Sequence, residues 1–138
     1  MSGLPHVEVG TELPGRTIHV DRARLRAYAD ASGDQNPIHQ DEQVARSVGL
    51  PDVIAHGMWT MGAAVQVVCD WIGDPTRVVS CTTRFTKPVV VPADTGADVT
   101  VSGRVTKVDA EAGRATVELT VEAGGEKVLG RALAVVRL

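Results

Sequence analysis

Aromatic residues are scarce in this chain, making up 3% of its 138 residues. A surface that stacks nucleic-acid bases needs such rings, and a duplex-binding surface needs a clustered basic stripe. The net charge is -3, and neither half of the sequence is markedly basic, so no nucleic-acid partner is expected. Cysteine is rarer still. Cys69 and Cys81 lie in apolar or alternating segments, which reads as small buried packing residues in a reducing compartment. No long hydrophobic run occurs. The longest, Gly57 to Ile72, contains Gln66 and Asp70 and falls short of the roughly 20 apolar residues of a membrane span. Met1 to Gly10 lacks a basic region followed by an apolar stretch, so no secretory leader, no membrane partner and a cytoplasmic location are expected.

Several chemical signatures are missing as well. There is no Gly-x-Ser-x-Gly elbow, no Gly-x-Gly-x-x-Gly fingerprint and no phosphate loop. No Cys-x-x-Cys or His-Glu-x-x-His spacing is present, and the reading is of a protein without cofactor or metal. Asp34, His39 and His56 are the only candidate ligand set, with no third ligand at helical or hairpin spacing. His6 and His19 read as surface residues.

What is present is an ordinary globular composition, 43% apolar and 22% charged, expected to form one domain over residues 1–138. A short extended stretch, Thr17 to Val20, precedes Asp21, which reads as the N-cap of a helix with Leu25, Tyr28 and Ala29 on one face. Gly33 is placed to end that helix in a left-handed conformation. After a loop from Asp34 to Gln40, Asp41 can cap a second short helix with Val44, Ala45 and Val48 on its apolar face, closed by Gly49. Gly57 to Ile72 is too long for a usual strand and reads as a helix, buried on most sides because it is apolar nearly all round.

From Thr76 onward the period changes to two. Val79, Cys81, Thr83 and Phe85 alternate with polar residues, as do Val99, Val101 and Val105, then Ala115, Val117, Leu119, Val121 and Ala123. Gly124-Gly125 signals a hairpin into a last strand, Lys127 to Arg137. Four consecutive strands with short connections imply an antiparallel sheet with one wet face. The dry face needs a cover and the apolar helix needs a wrapper, so the expected fold is α+β, a curved antiparallel sheet around one long helix. Met58, Met61 and Phe85 read as ordinary core, residue types that an acyl pocket would also use.

The stretch that carries chemistry runs from Tyr28 to His39, with Gly33-Asp34, Asn36-Pro37 and His39 inside it. Asp34 and His39 stand five positions apart, on either side of Asn36-Pro37. Pro37 keeps Asn36 out of the helical region, and a turn between them can bring both side chains to one water molecule. Ordinary carboxylate and imidazole pKa values of about 3.9 and 6.5 suit one group to accept a proton while the other donates. Read singly, Asp34 can make an Asx turn, Asn36 can brace the loop, and His39 can cap or pack. Read together at this spacing, they point to a site. Ile54-Ala55-His56-Gly57-Met58 stands directly before the apolar helix. Small residues at a helix start leave amides free to hold an oxyanion. The plainer alternative is Gly57 for tight packing and His56 as a polar cap.

These residues resemble the MaoC-like dehydratases, which include the (R)-specific enoyl-CoA hydratases. Tyr28 to Ala45 is similar to their hydratase motif almost throughout. Ile54 to Met58 resembles the start of their central helix, and Arg84-Phe85-Thr86-Lys87-Pro88-Val89 resembles their following strand. The resemblance covers nearly the whole chain and extends to the catalytic subunit of mycobacterial 3-hydroxyacyl-ACP dehydratase. It implies a hot-dog fold and reversible hydration of trans-2-enoyl thioesters, carried on CoA or acyl carrier protein. Asp34 and His39 would hold the catalytic water, and the Gly57 amide would face the thioester oxygen. Asn36, Pro37, His56 and Met58 would support the site or bind substrate. It further implies a dimer, either a homodimer or a heterodimer with a related hot-dog subunit. One departure stands out: many of these hydratases carry a serine in the central helix, whereas here Thr60 is its only hydroxyl. The rival functions are a hot-dog thioesterase and a non-catalytic acyl-thioester-binding subunit.

Overall fold

The computed structural model describes residues 3–138; Met1 and Ser2 of the N-terminal stretch read above lie outside the described residues. Strand β1 (Glu12–Val20) leads into helix α1 (Arg22–Ser32). The Asp21 carboxylate accepts from the Arg24 amide at 2.8 Å, and Gly33 ends the helix at φ 81°. That left-handed turn, which glycine adopts without steric cost, redirects the chain at Asp34. A single 3₁₀ turn, Pro37–His39, then precedes helix α2 (Glu42–Ser47), which Asp41 caps. Val48 falls just beyond α2 and is 63% exposed, so it leaves the expected apolar face to the buried Ala45.

Helix α3 (Gly57–Ile72) has the expected bounds. It buries Thr60, Ala64, Val67, Val68 and Ile72, spaced three and four apart as one stripe requires. Its other side is more open than expected: Gly57, Met58, Gly62, Gln66 and Asp70 are exposed.

The strands after α3 are β2 (Val78–Phe85), β3 (Ala97–Asp109), β4 (Arg114–Ala123), β5 (Glu126–Lys127) and β6 (Leu129–Arg137). All pairings are antiparallel, in the order β1-β3-β4-β6-β2, with β5 beside β4. Two expectations change. The final strand is split at Val128, and β2 pairs with β6 rather than with its sequence neighbour β3. Residues 86–96 therefore carry the chain from one edge of the sheet toward the other. Alternation holds where neighbours flank a strand on both sides. Val99, Val101 and Val105 of β3 and Ala115, Val117, Leu119 and Val121 of β4 are all buried. It fails in β2, an edge strand whose pairing slips twice, and Val79 and Phe85 stand 44% and 54% exposed. Such irregularities bend a strand and add twist, which suits a sheet that wraps. Helix α3 touches β1, β2, β3, β4 and β6, and the shared apolar interior runs from Leu13 to Val136. The architecture is α+β, a curved sheet around one helix.

Phe85 is thus corrected from core to edge, and Met61 is only half-buried. Cys69 and Cys81 are free and half-buried rather than buried, with desolvation pushing both thiols up from their ordinary range. No described helix is long and apolar enough to cross a membrane.

Two devices hold the loop region that follows α1. The Arg22 guanidinium donates to the Val91 carbonyl at 2.7 Å, to Glu42 at 3.1 Å and to Asp52 at 3.0 Å. It thereby joins the start of α1 to α2 and to the segment before α3. Arg22 and Asp52 side chains are only 16% and 17% exposed, so Arg22→Ala would leave a largely desolvated carboxylate without its main partner. The expected cost is about 3 kcal/mol in urea unfolding. Unchanged stability would show the network to be idle. The second device is backbone pairing of residues 53–55 with residues 89–91. Val91 donates to Val53 at 2.8 Å and Ala55 to Val89 at 2.9 Å, with an isolated bridge between Ile54 and Val90.

Candidate active site

The bend after α1 is built from side-chain-to-backbone bonds. Asp34 Oδ1 accepts from the Asn36 amide at 3.1 Å, and Asn36 Oδ1 accepts from the Ile38 amide at 3.2 Å. Both are the Asx turns considered above, and they coexist with the site geometry. Pro37 opens the 3₁₀ turn, where its fixed φ suits the first position. The turn delivers His39, 7% exposed, to the interior.

Asp34, His39 and His56 converge: one ligand atom from each lies within 4.8 Å of the other two. Asp34 is exposed, and both imidazoles are buried. His39 Nδ1 donates to the Ile54 carbonyl at 2.7 Å, because a carbonyl can only accept. Uncharged His39 therefore presents a lone pair at Nε2. Burial holds the His39 imidazole below its ordinary 6.5; nearby His56 lowers it further, while the Ile54 bond and Asp34 act the other way.

His56 occupies the N-cap position of α3, but its side chain makes no capping hydrogen bond, contrary to the plainer reading. Its Nε2 donates to the Asp34 main-chain carbonyl at 3.1 Å. Its ring stacks on His39 with centroids 3.8 Å apart and planes 23° from parallel. Tyr28 also meets the His56 ring, edge-on, with centroids 4.7 Å apart. The three clustered groups could offer ligand atoms to a metal ion, and a carbonyl bond at one nitrogen of each histidine leaves the other free to ligate; the obstacle is the orientation of the rings. Imidazole lone pairs lie in the ring plane, and two nearly parallel stacked rings do not aim theirs at one ion.

Beside His39 opens a cleft of about 270 Å³. Gly57 and Thr60 of α3 line it, with Ile54, Phe85, Val89, Val128 and Leu129 supplying apolar walls and Lys87 a cation. Gly57 is the first residue of α3, so its N–H has no partner within the helix. A Cβ there would meet the Phe85 ring at 3.0 Å. A side chain here would require the Phe85 ring to shift. Met58 is displaced from the expected site. It is 60% exposed and faces a different groove, with Arg16, Tyr28 and Trp59. One step along a helix turns about 100°, which is enough to carry it away from Gly57.

Sequence reading missed Lys87, Val128 and Leu129 as cleft residues. Lys87-Pro88 lies just beyond β2, after Thr86, but nothing local indicates which cavity it borders. Lys87 Nζ bonds Glu126 at 3.0 Å, a pairing 39 residues apart in sequence.

Residues 6–123 match the MaoC like domain. Over 83 residues, 60% of the chain, it is 39% identical to 3-hydroxyacyl-thioester dehydratase X of Mycobacterium tuberculosis, of whose length it spans 29%. A solved MaoC-like dehydratase superposes with a TM-score of 0.93 at 42% identity, over 96% of this chain and 41% of that one. The (R)-hydratase from A. caviae involved in PHA biosynthesis superposes at 0.83 with 25% identity, over 96% of this chain and 97% of that one. The wrapped sheet is accordingly a hot-dog fold, and the chain belongs to the MaoC-like domain family.

Proposed function

We propose that this chain interconverts trans-2-enoyl and (R)-3-hydroxyacyl thioesters, with Asp34 and His39 as its acid–base pair and the Gly57 amide as oxyanion donor. The observation that carries this reading is the approach of a carboxylate and an imidazole to within 4.8 Å, with His39 of that pair lining the same cleft as Gly57 at the start of α3. The related (R)-hydratase and dehydratase support the substrate class.

In hydration, water sits between the Asp34 carboxylate and His39 Nε2, both acceptors. Its oxygen attacks C3 as one proton passes to Asp34, and the other proton stays as the 3-hydroxyl. Charge moves onto the thioester oxygen, where the Gly57 N–H meets it. C2 then receives the proton that Asp34 took, relayed through His39 Nε2, and both groups return to their starting states. Dehydration reverses each step. The cleft is smaller than the roughly 300–1,000 Å³ of sites for drug-sized ligands, so it accommodates the reactive end of the acyl chain. The carrier, CoA or acyl carrier protein, stays outside. Partner subunits of the same fold, identical or related, would complete the walls.

The test is hydration of crotonyl-CoA and longer enoyl thioesters, followed by loss of enoyl absorbance and by chiral analysis of the product. The (R)-alcohol is expected. Release of free thiol in place of hydration would favour a thioesterase. Binding without turnover, alone and with a sister subunit, would leave a non-catalytic acyl-thioester-binding role. The pH profile adds a second check. Protonation of His39 removes its acceptor, so kcat/KM for hydration should be full at neutral pH and fall on the acid side, with a midpoint below the ordinary 6.5. A midpoint above that value would contradict the buried, uncharged imidazole.

A further inference from the structure

We infer that His56 is a positioning residue that sets Asp34 and His39 relative to one another; this rests on the acid–base reading above. Asp34 lies in an exposed loop, and its side chain bonds only to the Asn36 amide of the same loop. Among the described residues, the one hydrogen bond tying Asp34 to a distant part of the fold comes from His56 Nε2, 22 residues away. His39 is held from the same segment, by the Ile54 carbonyl at its Nδ1 and by the His56 ring against its face. Residues 54 to 57 thus anchor the imidazole, the carboxylate's backbone and the oxyanion donor together, and the pairing of residues 53–55 with residues 89–91 ties the start of that segment to the chain beyond β2.

His56 is itself poorly placed for proton transfer. It is 1% exposed, its Nε2 proton is committed to a carbonyl, and its Nδ1 is buried without a partner. Its contacts instead restrain two other groups at once, and displacement of a reacting group by about 1 Å can cost 100-fold in rate.

The test compares His56→Phe, which keeps a stacking ring and removes the donor, with His56→Gln, which keeps a donor. With crotonyl-CoA, His56→Phe should lower kcat about 100-fold while KM stays within about 3-fold, the signature of lost transition-state alignment. His56→Gln should recover part of kcat. The His39 imidazole, followed by NMR titration, should move up in His56→Phe. Both variants active within about two-fold, with His39 titrating as in the wild type, would overturn the inference. Nitrogen-15 spectra of the unmodified protein decide it without any variant: the proton must reside on Nε2 of His56, and the Nδ1–H tautomer would refute it. Should wild-type protein fail to hydrate any enoyl thioester, the proposed function falls, while the tautomer and His39 titration still decide the role of His56.

Discussion

Asp34→Asn should reduce kcat/KM for enoyl hydration by about 1,000-fold, within the range a general base contributes, and leave thermal unfolding unchanged. The substitution is nearly isosteric. A carboxamide oxygen can still accept from the Asn36 amide, and the Asp34 carbonyl that receives the His56 proton belongs to the main chain. What disappears is the anionic proton acceptor facing His39. Turnover near the wild-type rate would remove Asp34 from the mechanism. His39→Ala should be as damaging to the reaction, but it is less clean. It empties a buried site and strips the Ile54 carbonyl of its 2.7 Å donor, adding a stability loss of about 1–3 kcal/mol. Comparing the two separates chemistry from folding.

The second large effect is expected at Gly57, where the proposed contribution is a main-chain N–H that most substitutions leave in place. Proline removes it. Proline is well suited to the first position of a helix, and the preceding residue must then be extended; His56 already sits at φ -60°, ψ 133°. The obstacle is steric, since a Cβ at this position meets the Phe85 ring at 3.0 Å. Phe85 is 54% exposed on an edge strand, so Phe85→Ala relieves the clash at little cost to the core. Gly57→Pro in a Phe85→Ala background should lose about 100- to 1,000-fold in kcat relative to Phe85→Ala alone, the range for deleting one oxyanion donor. Equal rates in the two proteins would mean that the thioester oxygen is held elsewhere. The neighbouring Met58→Ala should have little effect, because its side chain lies in another groove.

These experiments separate contributions that differed in how plainly they could be read from the chain. The bounds of α3 follow from an apolar run too long for a usual strand, and the structure closes it at Gly73 in a left-handed turn. The Asp34–His39 bend was legible because Gly33, the two Asx turns and Pro37 act over six or fewer residues. β3 and β4 alternate because each is flanked by strands on both sides, so one face is buried along its length. β2 has the same apparent pattern, yet its exposed Val79 and Phe85 depend on an edge position that no local residue specifies. His56 offered no local sign of its partners. Its bond to Asp34 requires residues 53–55 to pair with residues 89–91, an event some 35 residues distant.

By itself, the order of residues determined the long helix, the interior strands, and the acid and imidazole set five positions apart, since caps, turns and periodicity act between near neighbours. Tertiary structure alone decided that His56 lies under both groups, that Lys87 and Leu129 border the cleft, and that Met58 does not. Those outcomes depend on which distant backbone segments hydrogen-bond to one another, and that pairing is settled by burial of the whole sheet against α3 rather than by any short stretch of sequence.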